Sequence, residues 1–124
     1  MKNLSLVSGL LCAASLLLIP PALGHGSPEP QHGGVVQLEH ELVFELVREK
    51  QAVALYISDH GEPYQTKVMS GTIMVLDKGS KADAVLHPAG ENKMCADINI
   101  PDGAKVLVKV KSGDHHPVTV RYTF

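Results

Sequence analysis

Beyond Gly34, apolar and polar residues alternate one by one, and turn residues interrupt the alternation roughly every eight to twelve positions. A period of two places successive side chains on opposite faces of an extended chain, so the pattern predicts strands with one buried face. The first is 35–38 (VVQL). In 41–48 (ELVFELVR), Leu42, Phe44 and Leu46 share a face. After a tight turn near Glu49-Lys50, 52–58 (AVALYIS) repeats the arrangement with Val53, Leu55 and Ile57, which predicts a hairpin. Residues 59–63 (DHGEP) form a loop. The run 66–77 (TKVMSGTIMVLD) reads as one long strand with a bulge or bend at Ser70-Gly71, closed by a turn at Asp77-Lys78-Gly79. Strands 82–87 (ADAVLH) and 93–98 (KMCADI) flank PAGEN, and IPDG at 100–103 is a proline-initiated turn. The final two strands alternate most regularly. They set Val106, Val108 and Val110 against Lys105, Lys109 and Lys111, then Val118, Val120, Tyr122 and Phe124 against Thr119, Arg121 and Thr123.

Seven or eight strands in about ninety residues, with no helical periodicity, predict an all-β fold. An immunoglobulin-like antiparallel β-sandwich fits best, although a barrel of equal strand number would give the same pattern. Short antiparallel connections put successive turns at alternate ends of the molecule. With 66–77 as a single bent strand, the turns near His40, His60, His87 and His115-His116 share one end. The segment carrying His32 enters at the other.

The N-terminal residues break the alternation. Lys2 precedes an almost uninterrupted apolar run from Leu4 to Ile19, followed by Pro20-Pro21 and then Ala22-Leu23-Gly24, with small residues where a signal peptidase reads. This predicts a cleaved export signal over 1–24, a flexible His/Gly/Pro tail over 25–34 and a sandwich domain over 35–124. The mature chain would begin at His25 and be exported. The apolar run is shorter than the ~20 residues of a membrane span and no second one follows, so no membrane insertion is expected after cleavage. Leu11 rather than a small residue precedes Cys12, which disfavours a lipoprotein.

Composition narrows the function classes. Without Lys2, ten of the eleven basic side chains face thirteen acidic ones, and no basic stripe offers a nucleic-acid surface. Few aromatic residues and no tryptophan leave little for a carbohydrate or base-stacking platform. No nucleophile elbow, phosphate-binding glycine loop, His-Glu-x-x-His or Cys-x-x-Cys is present, so an enzyme is not expected. The mature chain keeps one cysteine, Cys95, and therefore no internal disulfide; a monomer is expected.

Histidine is the remaining chemistry. All seven lie beyond the signal: His25 and His32 in the tail, and His40, His60, His87, His115 and His116 at or beside turns. Loops on a rigid sandwich are where several donors can converge on one ion. An N-terminal His25 would offer Cu(II) its amine and its ring together. In DHHP, Asp114 can orient a neighbouring imidazole. Pairing Leu86 with Met94 would leave His87 and Cys95 on one outer face, one diagonal apart, a thiolate and imidazole set suited to Cu(I) or zinc. Met69, Met74 and Met94 read as core filling. The metal candidates are thus His25, His32, His60, His87, Cys95, His115 and His116, with a loop site of His60, His87 and His115 or His116 favoured.

HGGVVQ directly after an export signal, followed by FELV, LYISDHGEPY, SGTIMVLDKG and LHPAGEN, resembles the small periplasmic copper-resistance proteins of the CrdA type. It is also similar to the HGG-bearing N-terminal domain of heavy-metal efflux adaptors. The resemblance implies an immunoglobulin-like sandwich, export with the periplasm as destination, and a role in copper, silver or related metal tolerance, with Cu(I), Cu(II), Ag(I) or Zn(II) as the ion. Residue by residue it carries over only His32-Gly33-Gly34. An efflux-pump adaptor or outer-membrane component is the implied partner. The hairpin and barrel domains of an adaptor are missing, so bridging a pump unaided is not expected. A protein-interaction module of the cell envelope, with incidental histidines, is the rival class.

Overall fold

The computed structural model describes residues 28–124. The expected signal peptide, its cleavage after Gly24 and His25 lie outside the described residues. Nine antiparallel strands are present among those described: β1 (Val35–Glu39), β2 (Leu42–Glu49), β3 (Ala52–Asp59), β4 (Glu62–Pro63), β5 (Met69–Asp77), β6 (Ser80–Pro88), β7 (Lys93–Ala96), β8 (Lys105–Ser112) and β9 (Val118–Thr123). The class is all-β as expected, an antiparallel sheet nearly closed into a sandwich-like barrel, with the two-residue β4 pairing β3 as an addition. No helix among the described residues is long and apolar enough to cross a membrane.

The strands form one hydrogen-bonded path, β1-β2-β3-β7-β6-β5-β8-β9. It makes two layers because β6 serves both: Thr72 to Asp77 of β5 pair its first part, while His87 and Pro88 pair Cys95 and Met94 of β7. At the other edge β1 and β9 approach each other. There Tyr122 on β9 reaches across the core and its hydroxyl donates to the Phe44 carbonyl at 3.0 Å. Burial pushes the Tyr122 phenol well above its ordinary pKa, and the nearby Glu45 carboxylate adds to this, so the donor stays protonated.

The inward residues are those the alternation marks. Phe44, Leu46, Val53, Leu55, Ile57, Val108 and Val120 are fully buried, with Val106, Val110 and Tyr122 nearly so. β5 is continuous through Ser70-Gly71, so the site of the expected bend lies within a paired strand. A glycine is needed at 71 because a Cβ would meet Val110 Cγ1 at 2.9 Å and the Lys109 carbonyl oxygen at 3.0 Å.

The two ends of the sandwich differ. At one, Arg48 donates to the Ile100 carbonyl and to Asp102 while its guanidinium lies 5.0 Å over the Phe124 ring, which covers the core there. The other end carries the turns at 40–41, 60–61, 89–92 and 113–117, as the pairing directions require. Among the described residues, His40, His60, His115 and His116 lie in the turns of that second end, away from the Arg48–Phe124 plug.

Candidate functional site

On β2 the side chain of Glu45 lies between inward-facing Phe44 and Leu46, so it points outward, yet the residue is only 4% exposed. Its cover is the segment before β1. Glu45 accepts hydrogen bonds from the backbone N–H groups of Gln31 (2.9 Å), His32 (2.8 Å) and Gly34 (2.9 Å). The Nδ1 of His32 lies 3.1 Å from the same carboxylate. Burial pushes the Glu45 carboxyl upward, but the hydrogen bonds from Gly34, Gln31 and His32 together outweigh it and hold the group below the ordinary carboxylate range.

The fold-back works only because position 34 has no side chain. A Cβ there would sit 2.5 Å from the Leu46 carbonyl oxygen and 2.8 Å from Val47 Cγ2. The segment expected to be a free tail is thus tethered over 31–34 and runs back across the β2-β3 face toward Gly61 and Pro63. Tyr56, the cross-strand partner of Glu45, supplies the floor. The His32 ring stacks on it with centroids 3.6 Å apart and planes within 4°. Lys93, paired with Tyr56 from β7, holds its ammonium 5.8 Å from the Tyr56 centroid. The result is an imidazole fixed at Nδ1 and on one ring face, with a cavity of about 400 Å³ beside it.

The other candidates sit elsewhere. His115 and His116 line a cavity of about 300 Å³ together with His40, Met69 and Tyr64, at the uncapped end. His60 turns its Nδ1 to the neighbouring Asp59 carboxylate and does not line that cavity. His87 and Cys95 are directly opposed across β6-β7, so the register differs by two residues from the Leu86–Met94 pairing expected and keeps both on the outer face. They line a groove of about 250 Å³ with Asp97, and the Cys95 thiol is free and half-buried. The loop site of His60, His87 and His115 or His116 is therefore divided among three places. Among the described residues, no three of His, Cys, Asp and Glu are grouped closely enough to hold a metal ion.

Sequence reasoning left out Glu45, Tyr56, His40 and Met69. Only His40 carried a visible signal, its place at the same end as the other turn histidines. No family model, curated protein or solved structure matches the chain.

Proposed function

We propose that the protein is an exported, periplasmic metal-binding protein for copper or silver, which buffers the ion or hands it to a heavy-metal efflux system. The observation that carries this is the pairing of Glu45 with Nδ1 of His32. A metal-ligating histidine typically donates its second ring N–H to a carboxylate, which fixes the tautomer and makes the other nitrogen a better donor. Here a nearly buried carboxylate, a costly group to desolvate, accepts hydrogen bonds from three backbone N–H groups of the segment 31–34 and also pairs with its imidazole. Nε2 is then the free donor. One oriented ligand leaves most of a coordination sphere open, which suits an ion that arrives from and leaves to other molecules. The resemblance of HGGVVQ to the copper-resistance and efflux proteins points the same way.

Titration of the purified protein with Cu(I), Cu(II), Ag(I) and Zn(II) tests this. His32→Ala should weaken binding of the preferred ion at least tenfold, about 1.4 kcal/mol. A wild-type protein that binds none of the four ions would end the metal reading.

The interaction-module reading has one observation of its own. Leu76 and Val85 are exposed on the outer face of the β5-β6-β8-β9 layer, where Met74 and Leu107 pair nearby and Lys105 and Arg121 stand at the rim. A protein with no metal affinity that still associates through this face would favour it.

A further inference from the structure

The cavity at the uncapped end has a composition that the His32 site lacks. β5 begins at Met69, paired with Ser112 where β8 ends, so the thioether lies between the two loops that carry His40 and His115-His116. Met69 is itself 6% exposed. Phe44, Leu42, Val110 and Val118 supply apolar walls. His115 donates its backbone N–H to the Ser112 carbonyl at 3.0 Å, a turn that brings both adjacent histidines to the cavity, whereas an extended chain would turn one of them away. His40 comes from the β1-β2 turn, at φ 50°.

No carboxylate lines this cavity. Its donors are a sulfur, imidazoles and the hydroxyls of Tyr64 and Ser112, which pair with each other at 3.4 Å, all of them neutral. Calcium and magnesium favour carboxylate oxygens, and a divalent ion among neutral donors and apolar walls carries the larger desolvation cost. A soft monovalent ion fits both constraints, because thioether and imidazole bind Cu(I) well and a single charge is cheaper to desolvate.

We propose that this cavity is a site for Cu(I) or Ag(I), with Met69 Sδ as the inner donor, His40 from one loop and His115 or His116 from the other. It is independent of His32, which lies on the outer face of the β2-β3 ladder. Among the described residues no three of His, Cys, Asp and Glu group together, so the site takes one imidazole from each loop and the thioether as its third donor.

The test uses Ag(I), in protein carrying Cys95→Ser so that the thiol does not capture the ion, with methionine methyl groups labelled for NMR. One equivalent of Ag(I) should move the Met69 methyl resonance and leave those of Met74, on the outer face, and Met94, in the core, in place. Met69→Leu should lower Ag(I) affinity at least tenfold. The His40→Ala/His115→Ala/His116→Ala triple variant, which changes only exposed loop residues, should do the same without threatening the core. His32→Ala should leave this binding unchanged, so failure here and failure of the His32 site are read separately. A Met69 methyl that does not move, a shift confined to Met74, or a triple variant that binds Ag(I) like the parent would each overturn the proposal.

Discussion

Glu45 and Tyr56 are cross-strand partners on the outer face of β2 and β3, and His32 is held by both: its Nδ1 at the carboxylate, its ring flat on the phenol. Neither partner could do this alone. The carboxylate sets the ring's rotation and the stack sets its plane, so the position of Nε2 follows from residues distant in sequence from the His-Gly-Gly segment.

Glu45→Gln separates charge and acceptor number from size. The amide keeps one acceptor oxygen and replaces the other with a donor, which would face backbone N–H groups that are donors themselves. We expect a stability loss of about 1–3 kcal/mol, the cost of leaving buried polar groups unpaired. Faster hydrogen exchange at Gln31, His32 and Gly34 should accompany it. Wild-type denaturation midpoint and wild-type protection in the variant would show that the clasp contributes nothing.

The two glycines of the motif have different jobs. Gly33 has φ +74° and open space where a Cβ would go, so Gly33→Ala should cost only the left-handed strain, roughly 1–2 kcal/mol. Gly34→Ala instead drives a methyl into the backbone of Leu46, which cannot yield without moving β2. It should detach the segment from Glu45. Chemical denaturation and the His32 amide resonance should therefore rank Gly34→Ala as the more disruptive change, and the opposite ranking would contradict the packing at Leu46.

Glu45 also gives the clasp a pH limit. Burial raises its carboxyl pKa and the hydrogen bonds lower it by more, so the folded value lies below the unfolded one. A group depressed on folding contributes its full stability above the unfolded pKa, near ~4.3 for glutamate, and loses it as pH falls through the folded value. The Gly34 amide resonance should hold its position through mildly acidic pH and shift only below that ordinary range. A midpoint at or above it would show that the hydrogen bonds do not prevail over desolvation.

Alternation along the chain was enough to name most of the core, because the face a strand residue takes depends only on its parity. Phe44 and Leu46, Val53 to Ile57, and Val106 to Val110 follow it without exception at the inward positions. Glu45 shows where parity stops. It assigns the side chain to the outer face and says nothing about what covers that face, which here is a segment more than ten residues earlier in the chain. The same limit applies to His87 and Cys95: alternation puts both outside, while turn geometry around 89–92 decides that they are directly opposed. The histidine set at the open end was half legible. Strand direction places His40 with His115 and His116, but Met69 reads as ordinary core until the β5-β8 register sets it in the wall of the cavity.

The β1-β2 turn yields a prediction about the scaffold itself. Glu39 pairs with Leu42, so His40 and Glu41 alone make the turn, at φ 50° and 65°. Two-residue hairpins want positive φ at both central positions, which is why Asn-Gly and Asp-Gly are favoured. The turns at His60-Gly61 and Lys78-Gly79 have the same signs of φ and put glycine second. Only Glu41, of these three second positions, carries a side chain in the left-handed region. Glu41→Gly should relieve that strain, partly offset by the greater freedom of glycine in the unfolded chain, for a net gain of about 0.5–1 kcal/mol. Because His40 is retained and Glu41 does not line the cavity, Ag(I) affinity should be unchanged. Urea denaturation of the variant beside the parent measures the first effect and silver titration the second; a variant less stable than the parent would mean that Glu41 makes a compensating interaction at this end of the sandwich.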